Sequence, residues 1–574
     1  MKYKTILFWG IVCCCLFTFL QFQYKFFFYY QEQLQLFPLT GQYFIDTVSE
    51  PAGLAFYLSG FIIQFFALPC MGALLTTFLL VAVALLLYGI LRKVSPSGVC
   101  GLLALFPVAM LLLYHLDINY RIQGTVSFLF MLVFIRLYLY FDRFPLRLIL
   151  SVLMVFLLFW IAGPVMSLFV VCIILLEVLQ RKQGWFYFPV LLFELIIITY
   201  ASMLFAWQGE YRLIALPDLY YEPLMKSKYS LFPWILLLVS LILAWWFRKK
   251  SWFDNRWLFW IQLVPFFAFL YWRTATEKRT LYKNMEQDYY LRTEQWDRII
   301  SSFSIEHADI QTMNVLNLAL ACKGELGEKL FCYPQVNAGC LIPEWNSSLG
   351  SAIVLADINY YIGNVIFAQK FAFEGYVASA FGSVRLLQCL VRTNLITGDY
   401  PVAEKYIKLL EQTLFYRDWA DRQRRYLYND ANVLQDLSYG EKRKGLLRDD
   451  QYQEAISGLE ILEYLSTNNP DNPLPLQYLV SYSLLRKDLK TFTRLYQKYY
   501  RTKVWQSLAV SQQEAVVALY QKNPAVWAQK GVSMKVEQRY GAFDQDMIEK
   551  HSFLNFREVM ATSFGDTYWF YLMF

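Results

Sequence analysis

The sequence predicts an all-α protein: a polytopic helical membrane domain over residues 1–273, then an α-helical, tetratricopeptide-like soluble domain over 274–574. Three observations predict it. The 574 residues are 57% hydrophobic and only 17% charged, where a soluble chain carries about 25% charged residues. The charge is unevenly placed, with 67 of the 97 Lys, Arg, Asp and Glu residues in 274–574. Residues 1–273 carry a net charge of +8 and residues 274–574 a net charge of −1. Continuous Leu/Phe/Ile/Val runs crowd the first part, whereas the second shows helical periodicity broken by short polar turns. A soluble single-domain enzyme is excluded, and so is a chain that is membrane throughout.

The first apolar run, "KYKTILFWGIVCCCLFTFLQF", opens on Lys2 and Lys4 and has spanning length. No small-residue cleavage site follows it, so an uncleaved first helix is expected rather than a signal peptide. Residues 44–66 are apolar but interrupted by Ser59, Gly60 and Gln64. They read as an interfacial or re-entrant helix, with Asp46 or Ser49 as its cap and Pro51 in an early turn. The alternative is that this segment walls an outward-facing cavity. Further spans are expected near 67–91, 98–115, 122–141, 146–162, 164–180, 186–206, 231–247 and 257–273. Each approaches the roughly 20 residues a helix needs to cross hydrocarbon, and none alternates as a barrel strand would.

Nine spans set an orientation. With the N-terminus inside, inner segments carry Lys2, Lys4, Arg92, Lys93, Arg143, Arg147, Arg181, Lys182, Arg248, Lys249, Lys250 and Arg256. Outer segments mix Lys25, Arg121, Arg212, Lys226 and Lys228 with seven acids. That is a positive-inside pattern, and an odd count puts residues 274–574 outside the cytoplasm of a bacterial inner membrane.

Residues 274–300 are charged and Tyr-rich, and a helix is expected to run from the last span into the polar part. There, "RLLQCLVRTNL" is followed by "ITGDYPVAEKYIKLLEQTL", and 451–465 by a Pro/Asn turn, "PLQYLVSYSLLRKD" and "LKTFTRLYQKYY". Apolar residues three and four apart, turns such as Gly398–Asp399–Tyr400, and small residues such as Ala403 and Ala455 fit degenerate tetratricopeptide-type hairpins. An irregular helical domain is the alternative. Such repeats build concave binding faces, expected here within 302–530. The aromatic C-terminal segment is too short for a tenth span. It is expected to pack on the domain or to touch the membrane surface.

Chemistry is scarce. No phosphate-binding glycine loop, GxSxG elbow or HExxH occurs, and His115, His307 and His551 are scattered. The cysteines have no metal-site spacing; a Cys332–Cys340 disulfide and free buried thiols are both open. No basic patch with stacking aromatics suggests nucleic acid. What remains is a set of acids near the expected outer face: Glu32, Asp46 and Asp117 as catalytic candidates, with Arg121, Glu194 and Arg212 as binding candidates. A carboxylate there would serve as a base and an arginine would hold a lipid phosphate, as in transferases that use polyprenyl-phosphate sugars. Solvated loop acids are the plain alternative. Glu177 is expected to be paired or snorkelled near the inner boundary, and Glu194 to face a cavity or another helix.

The stretch "YYQEQLQLF…GQYFIDTVSEPAGLAFYLSGFIIQFF", with the terminal "YGAF" and "GDTYWFY", resembles an uncharacterised family of multi-pass membrane proteins from Bacteroidota, the domain of unknown function numbered 6057. The resemblance implies a bacterial envelope location and no particular reaction or cofactor. The leading expectation is an envelope or assembly protein that sits among membrane lipid and binds a protein partner through its C-terminal domain. A membrane-embedded glycosyltransferase acting on a lipid-linked sugar is second, and a transporter third.

Overall fold

The computed structural model describes residues 2–180, 184–204, 211–222, 229–249, 260–276, 279–447, 458–551 and 553–574. These residues are helical, with only isolated bridges in place of strands. They form two compact units, Met1–Lys278 and Arg279–Phe574.

The first unit contains α1 (Lys2–Gln33), α2 (Gly41–Val48), α3 (Gly53–Ile63), α4 (Met71–Val94), α5 (Cys100–His115) and α6 (Gln123–Tyr138). It continues with α7 (Phe144–Ala162), α8 (Val165–Gln180), α9 (Phe188–Leu204), α10 (Tyr211–Ala215), α11 (Phe232–Phe247) and α12 (Leu263–Thr276). Four helical segments, Tyr3–Gln33, Met71–Val94, Phe144–Ala162 and Gly184–Leu204, are long and apolar enough to cross a membrane. Helices α5, α6, α8 and α11 are apolar but have 16 residues each. Part of the run expected from 257 lies outside the described residues, as do Arg181, Lys182, Glu210, Lys226, Lys228, Lys250 and Arg256.

Helix α4 packs against α1, α5 and α6. Its Leu80, Val83, Leu87 and Leu91 fall three or four residues apart, so one stripe of the helix is fully buried. Large apolar side chains such as Phe78, Ile149, Ile196 and Trp246 point outward and stay exposed. Pro145 and Pro233 occupy first turns of α7 and α11, where a missing N–H interrupts no helical bond.

The segment 44–66 differs from expectation in its capping. Thr40, not Asp46 or Ser49, caps α2, its hydroxyl accepting the Tyr43 N–H at 3.2 Å. Asp46 lies inside that helix and Ser49 ends it. Helix α3 starts after Ala52, which has a left-handed φ of 65° and donates its N–H to the Phe159 carbonyl at 3.3 Å.

The second unit opens with α13 (Arg279–Arg292), α14 (Trp296–Ser302) and α15 (Ile310–Cys322). Residues 277–278 are outside the described ones, so the helix expected to continue across them is not traced. Three helical hairpins follow. Helices α16 (Leu349–Ile362) and α17 (Val365–Ala378) turn at Gly363, and α18 (Val384–Thr397) and α19 (Tyr400–Glu411) turn at Gly398. After α20 (Arg417–Gln423), α21 (Leu437–Lys444) and α22 (Gly458–Asn468), α23 (Leu474–Leu485) and α24 (Leu489–Tyr499) turn at Lys487. The glycines have φ near +90°, a conformation without Cβ strain only for glycine. Ala403 is fully buried, whereas Ala455 lies outside the described residues. Arg385 on α18 is ion-paired to Asp288 on α13 and Asp357 on α16, tying three helices together.

The chain ends in α25 (Val510–Leu519), α26 (Met534–Lys550), α27 (Phe556–Phe564) and α28 (Tyr568–Met573). The aromatic terminus packs on its own unit: Tyr568 and Trp569 are buried, and the Tyr571 hydroxyl donates to the Leu485 carbonyl at 2.7 Å. All ten cysteines are free thiols; Cys340 is buried and Cys332 exposed.

Candidate functional site

The six residues singled out in the sequence divide among separate environments. Glu32 is buried near the end of α1, and its Oε2 accepts the Gln33 amide at 2.6 Å. Asp46 is exposed on α2 and accepts from Gln42 Nε2 at 2.7 Å. Asp117 shapes a turn: its Oδ1 accepts the Asn119 N–H at 3.0 Å and its carbonyl accepts the Tyr120 N–H at 3.1 Å. The acids thus engage different partners. Glu194 is buried on α9 beside the Ser167 hydroxyl of α8.

The loop carrying Asp117 and Arg121 meets the one carrying Arg212 and Asp218. The Arg121 N–H donates to the Tyr220 carbonyl at 2.9 Å, and the Glu222 N–H to the Asn119 carbonyl at 3.1 Å. Arg212 pairs with Asp218 at 3.0 Å. Beneath them His115 Nε2 and the Tyr120 hydroxyl both engage the Thr125 hydroxyl, at 2.9 and 3.0 Å. The rings of Tyr114, Tyr120 and Tyr221 fill the remaining space. A cavity of about 10 Å³ lies between these rings and Pro217, Pro233 and Trp234, room for at most one water.

A buried polar cluster lies at the other end of these helices. Arg147 on α7 meets Glu177 on α8 at 2.7 Å, with 1% and 2% of the side chains exposed. The Tyr138 hydroxyl donates to the same Glu177 oxygen at 2.7 Å and also touches the Tyr187 hydroxyl. Arg147 was expected among the basic residues of an inner loop; it is instead inside the bundle. A residue two positions after Pro145 is already in the first turn of α7, and Glu177 supplies the counter-charge that allows its burial. The pairing foreseen for Glu177 is therefore with Arg147. Lys93, at the same end, donates to the Leu139 carbonyl at 2.9 Å.

A roomy site lies in the second unit, a cleft of about 1400 Å³. Helix α15 forms one wall and the loop 334–348 another, and Tyr482, Leu485 and Arg486 of α23 close one side. Asp309 begins the wall with a capping box, accepting the Thr312 N–H at 2.8 Å and the Asn284 amide at 2.8 Å. Asn314 and Asn317, three residues apart on α15, then hold the loop by donating to the Gly339 and Cys340 carbonyls at 2.7 and 2.9 Å. Gln335 exchanges two hydrogen bonds with Asn317. These amides satisfy carbonyls of a loop whose only helical turn is the short 3-10 one at Ala338–Cys340, so the wall is fixed. Ile305, Ile310 and Val336 project exposed apolar side chains there.

No group of three or more His, Cys, Asp or Glu side chains among the described residues is placed to hold a metal ion. A family model matches residues 1–574 from end to end. The chain belongs to the family of unknown function DUF6057. No curated protein and no solved structure matches it. In this DUF6057 protein, periodicity exposed the helices, but Asn314, Asn317 and Gln335 carried no motif to mark the cleft. Their only sequence signal is a pair of amides at i and i+3 inside an apolar helix.

Proposed function

We propose that this protein is a multi-pass component of the bacterial inner membrane whose second unit, outside the cytoplasm, binds a protein partner. The observation that carries the reading is the cleft walled by α15 and the loop 334–348. Its volume of about 1400 Å³ exceeds the roughly 300–1,000 Å³ of small-molecule pockets, and its exposed Ile305, Ile310 and Val336 suit the side chains of a polypeptide. The helical hairpins are tetratricopeptide-like in this reading, and they present the cleft as repeat proteins present their binding faces. The membrane part rests on four apolar helices of spanning length, the shorter apolar α5, α6, α8 and α11, and the outward Phe, Ile and Trp side chains of the first unit; the run 257–273 is read as the ninth crossing. Nine crossings with Lys93 and Arg143 at the inner end put residues 279–574 outside.

The transferase alternative needs Glu32, Asp46 or Asp117 to converge with an arginine on one cavity, and the three acids instead engage separate partners. Site-specific photo-crosslinking in living cells tests the partner reading. A photoreactive residue at Ile310 or Val336 is expected to trap one protein, the same from both positions, whereas the still more exposed Leu437 traps none of it. Identical yields from all three positions would sink the proposal. A reporter fused after residue 274 tests the orientation, and reporter activity on the cytoplasmic side would reverse it.

A further inference from the structure

Two half-buried cations of the second unit form no ion pair with a described residue, although Asp357 acts on Arg392 and Glu441 and Glu294 act on Lys442 at longer range. Arg392 on α18 lies 5.7 Å from the ring centroids of both Tyr360 and Trp419. Lys442 on α21 lies 4.8 Å from the centroid of the same Tyr360 ring. Neither side chain forms a hydrogen bond or an ion pair with any described residue; their direct contacts are with rings. The contrast with Arg385 is informative, because it lies seven residues before Arg392 on the same face of α18. Arg385 is neutralised by Asp288 and Asp357, so Asp357 is already engaged. Glu294, the other nearby acid, accepts the Tyr361 hydroxyl at 2.9 Å, and Glu441 is exposed to solvent. Burial lowers the Lys442 ammonium, Glu441, Cys322 and Glu294 oppose that, and Arg392 adds to it.

Like charges held together at a half-buried position are unfavourable unless a ligand neutralises them. The guanidinium offers a planar fork of donors that matches two oxygens of one group, and the ammonium offers a point charge. The exposed Ser438 hydroxyl, 3.4 Å from the Tyr360 hydroxyl, borders the same place. We propose that Arg392 and Lys442 form an oxyanion-binding site, in which they grip a phosphate or carboxylate group of a ligand beside the Tyr360 ring. The site is separate from the cleft and does not depend on what the cleft binds.

The test uses the full-length protein in detergent, titrated with sodium phosphate and, in parallel, sodium acetate, at ionic strength held constant with sodium chloride. One of the two anions is expected to raise the thermal midpoint saturably above the chloride control, by about 1–2 °C at ten times its Kd. The anion that works distinguishes a phosphate from a carboxylate ligand. R392Q and K442Q are each expected to move half-saturation at least about tenfold higher. K442Q is expected to leave the anion-free midpoint unchanged or higher, because it removes a repulsion, and K442R to keep the anion response. No anion-specific rise, or equal responses in wild type and K442Q, overturns the proposal. So does a lower anion-free midpoint in K442Q with its anion response intact, which would make the cations packing groups only.

Discussion

Replacing Glu514 by glutamine should remove a pH dependence that the native fold builds into the C-terminal end of the chain. Glu514 is 1% exposed on α25. Its Oε2 accepts the Tyr568 N–H at 2.7 Å, its backbone carbonyl accepts Trp569 Nε1 at 2.8 Å, and its Oε1 has no hydrogen-bond partner. Burial pushes the carboxyl up to about 8; the Tyr568 N–H and Arg539 oppose this, and Asp566 adds to it. The native state therefore holds a proton that the unfolded chain releases above an ordinary 4.5. Stability must fall as pH rises from about 4.5 to about 8 and then level off. A gap of about 3.5 pH units at about 1.4 kcal/mol each sets a ceiling of about 5 kcal/mol on the loss. A glutamine oxygen can still accept the Tyr568 N–H, and the residue cannot ionise. Hydrogen exchange of the full-length protein between pH 5 and 8, corrected for intrinsic rates, should show protection of 510–519 and 556–574 falling in the wild type. In E514Q it should stay level and exceed the wild type at pH 8. Parallel slopes in the two proteins, or wild-type protection that climbs with pH, would refute the reasoning.

Three further outcomes follow from the same kind of argument. R147L or E177L alone should cost about 3–5 kcal/mol, since each leaves a buried charge unpaired, whereas the double variant should recover most of it; detergent thermal melts arranged as a double-mutant cycle measure this. G398A should cost about 1–2 kcal/mol, because Gly398 has a φ of 91° and alanine is strained there; urea unfolding of the full chain reads the change. Cys14, Cys70 and Cys332 are exposed whereas Cys340 and Cys389 are buried, so in a C14S/C70S background an impermeant maleimide applied to intact cells should label Cys332 if the second unit is outside, and adding C332S should remove that signal. Labelling that requires cell lysis would contradict the proposed orientation.

Much of the architecture was legible because helices announce themselves by spacing. Gly398 marks a turn because only glycine takes its φ without strain, whereas α4 was legible as an apolar run without its buried face, since Leu80 and Val83 are buried and the equally apolar Phe78 and Leu85 exposed. Composition also separated an apolar part from a charged one. The polar groups inside were not legible. Arg147 reads as a loop residue until Glu177, thirty positions away, is placed against it. Asp46 reads as the cap of the helix expected to carry Pro51 until that helix, α3, is found to start after Ala52, and the amides that fix the cleft wall differ in no local respect from solvated ones. Periodicity reports which side of a helix is buried, but not which distant group satisfies a polar atom there.

The treatment of buried charge in the second unit gives the clearest lead to what this protein binds. Its net charge of −1 conceals three different solutions to burying an ionisable group. Arg385 works against burial with two carboxylates, Asp288 and Asp357, which together hold its guanidinium well above the ordinary range. Glu514 is held largely protonated by its surroundings up to about pH 8. Arg392 and Lys442 use neither solution, although α18 supplies both Arg385 and Arg392 and α21 stands beside it. Supplying a carboxylate to this region was structurally feasible, since Asp357 on α16 already provides one to the next cation on the same helix face. Two cations without an ion pair among the described residues, next to one cation with two, are the contrast on which the proposed oxyanion site rests.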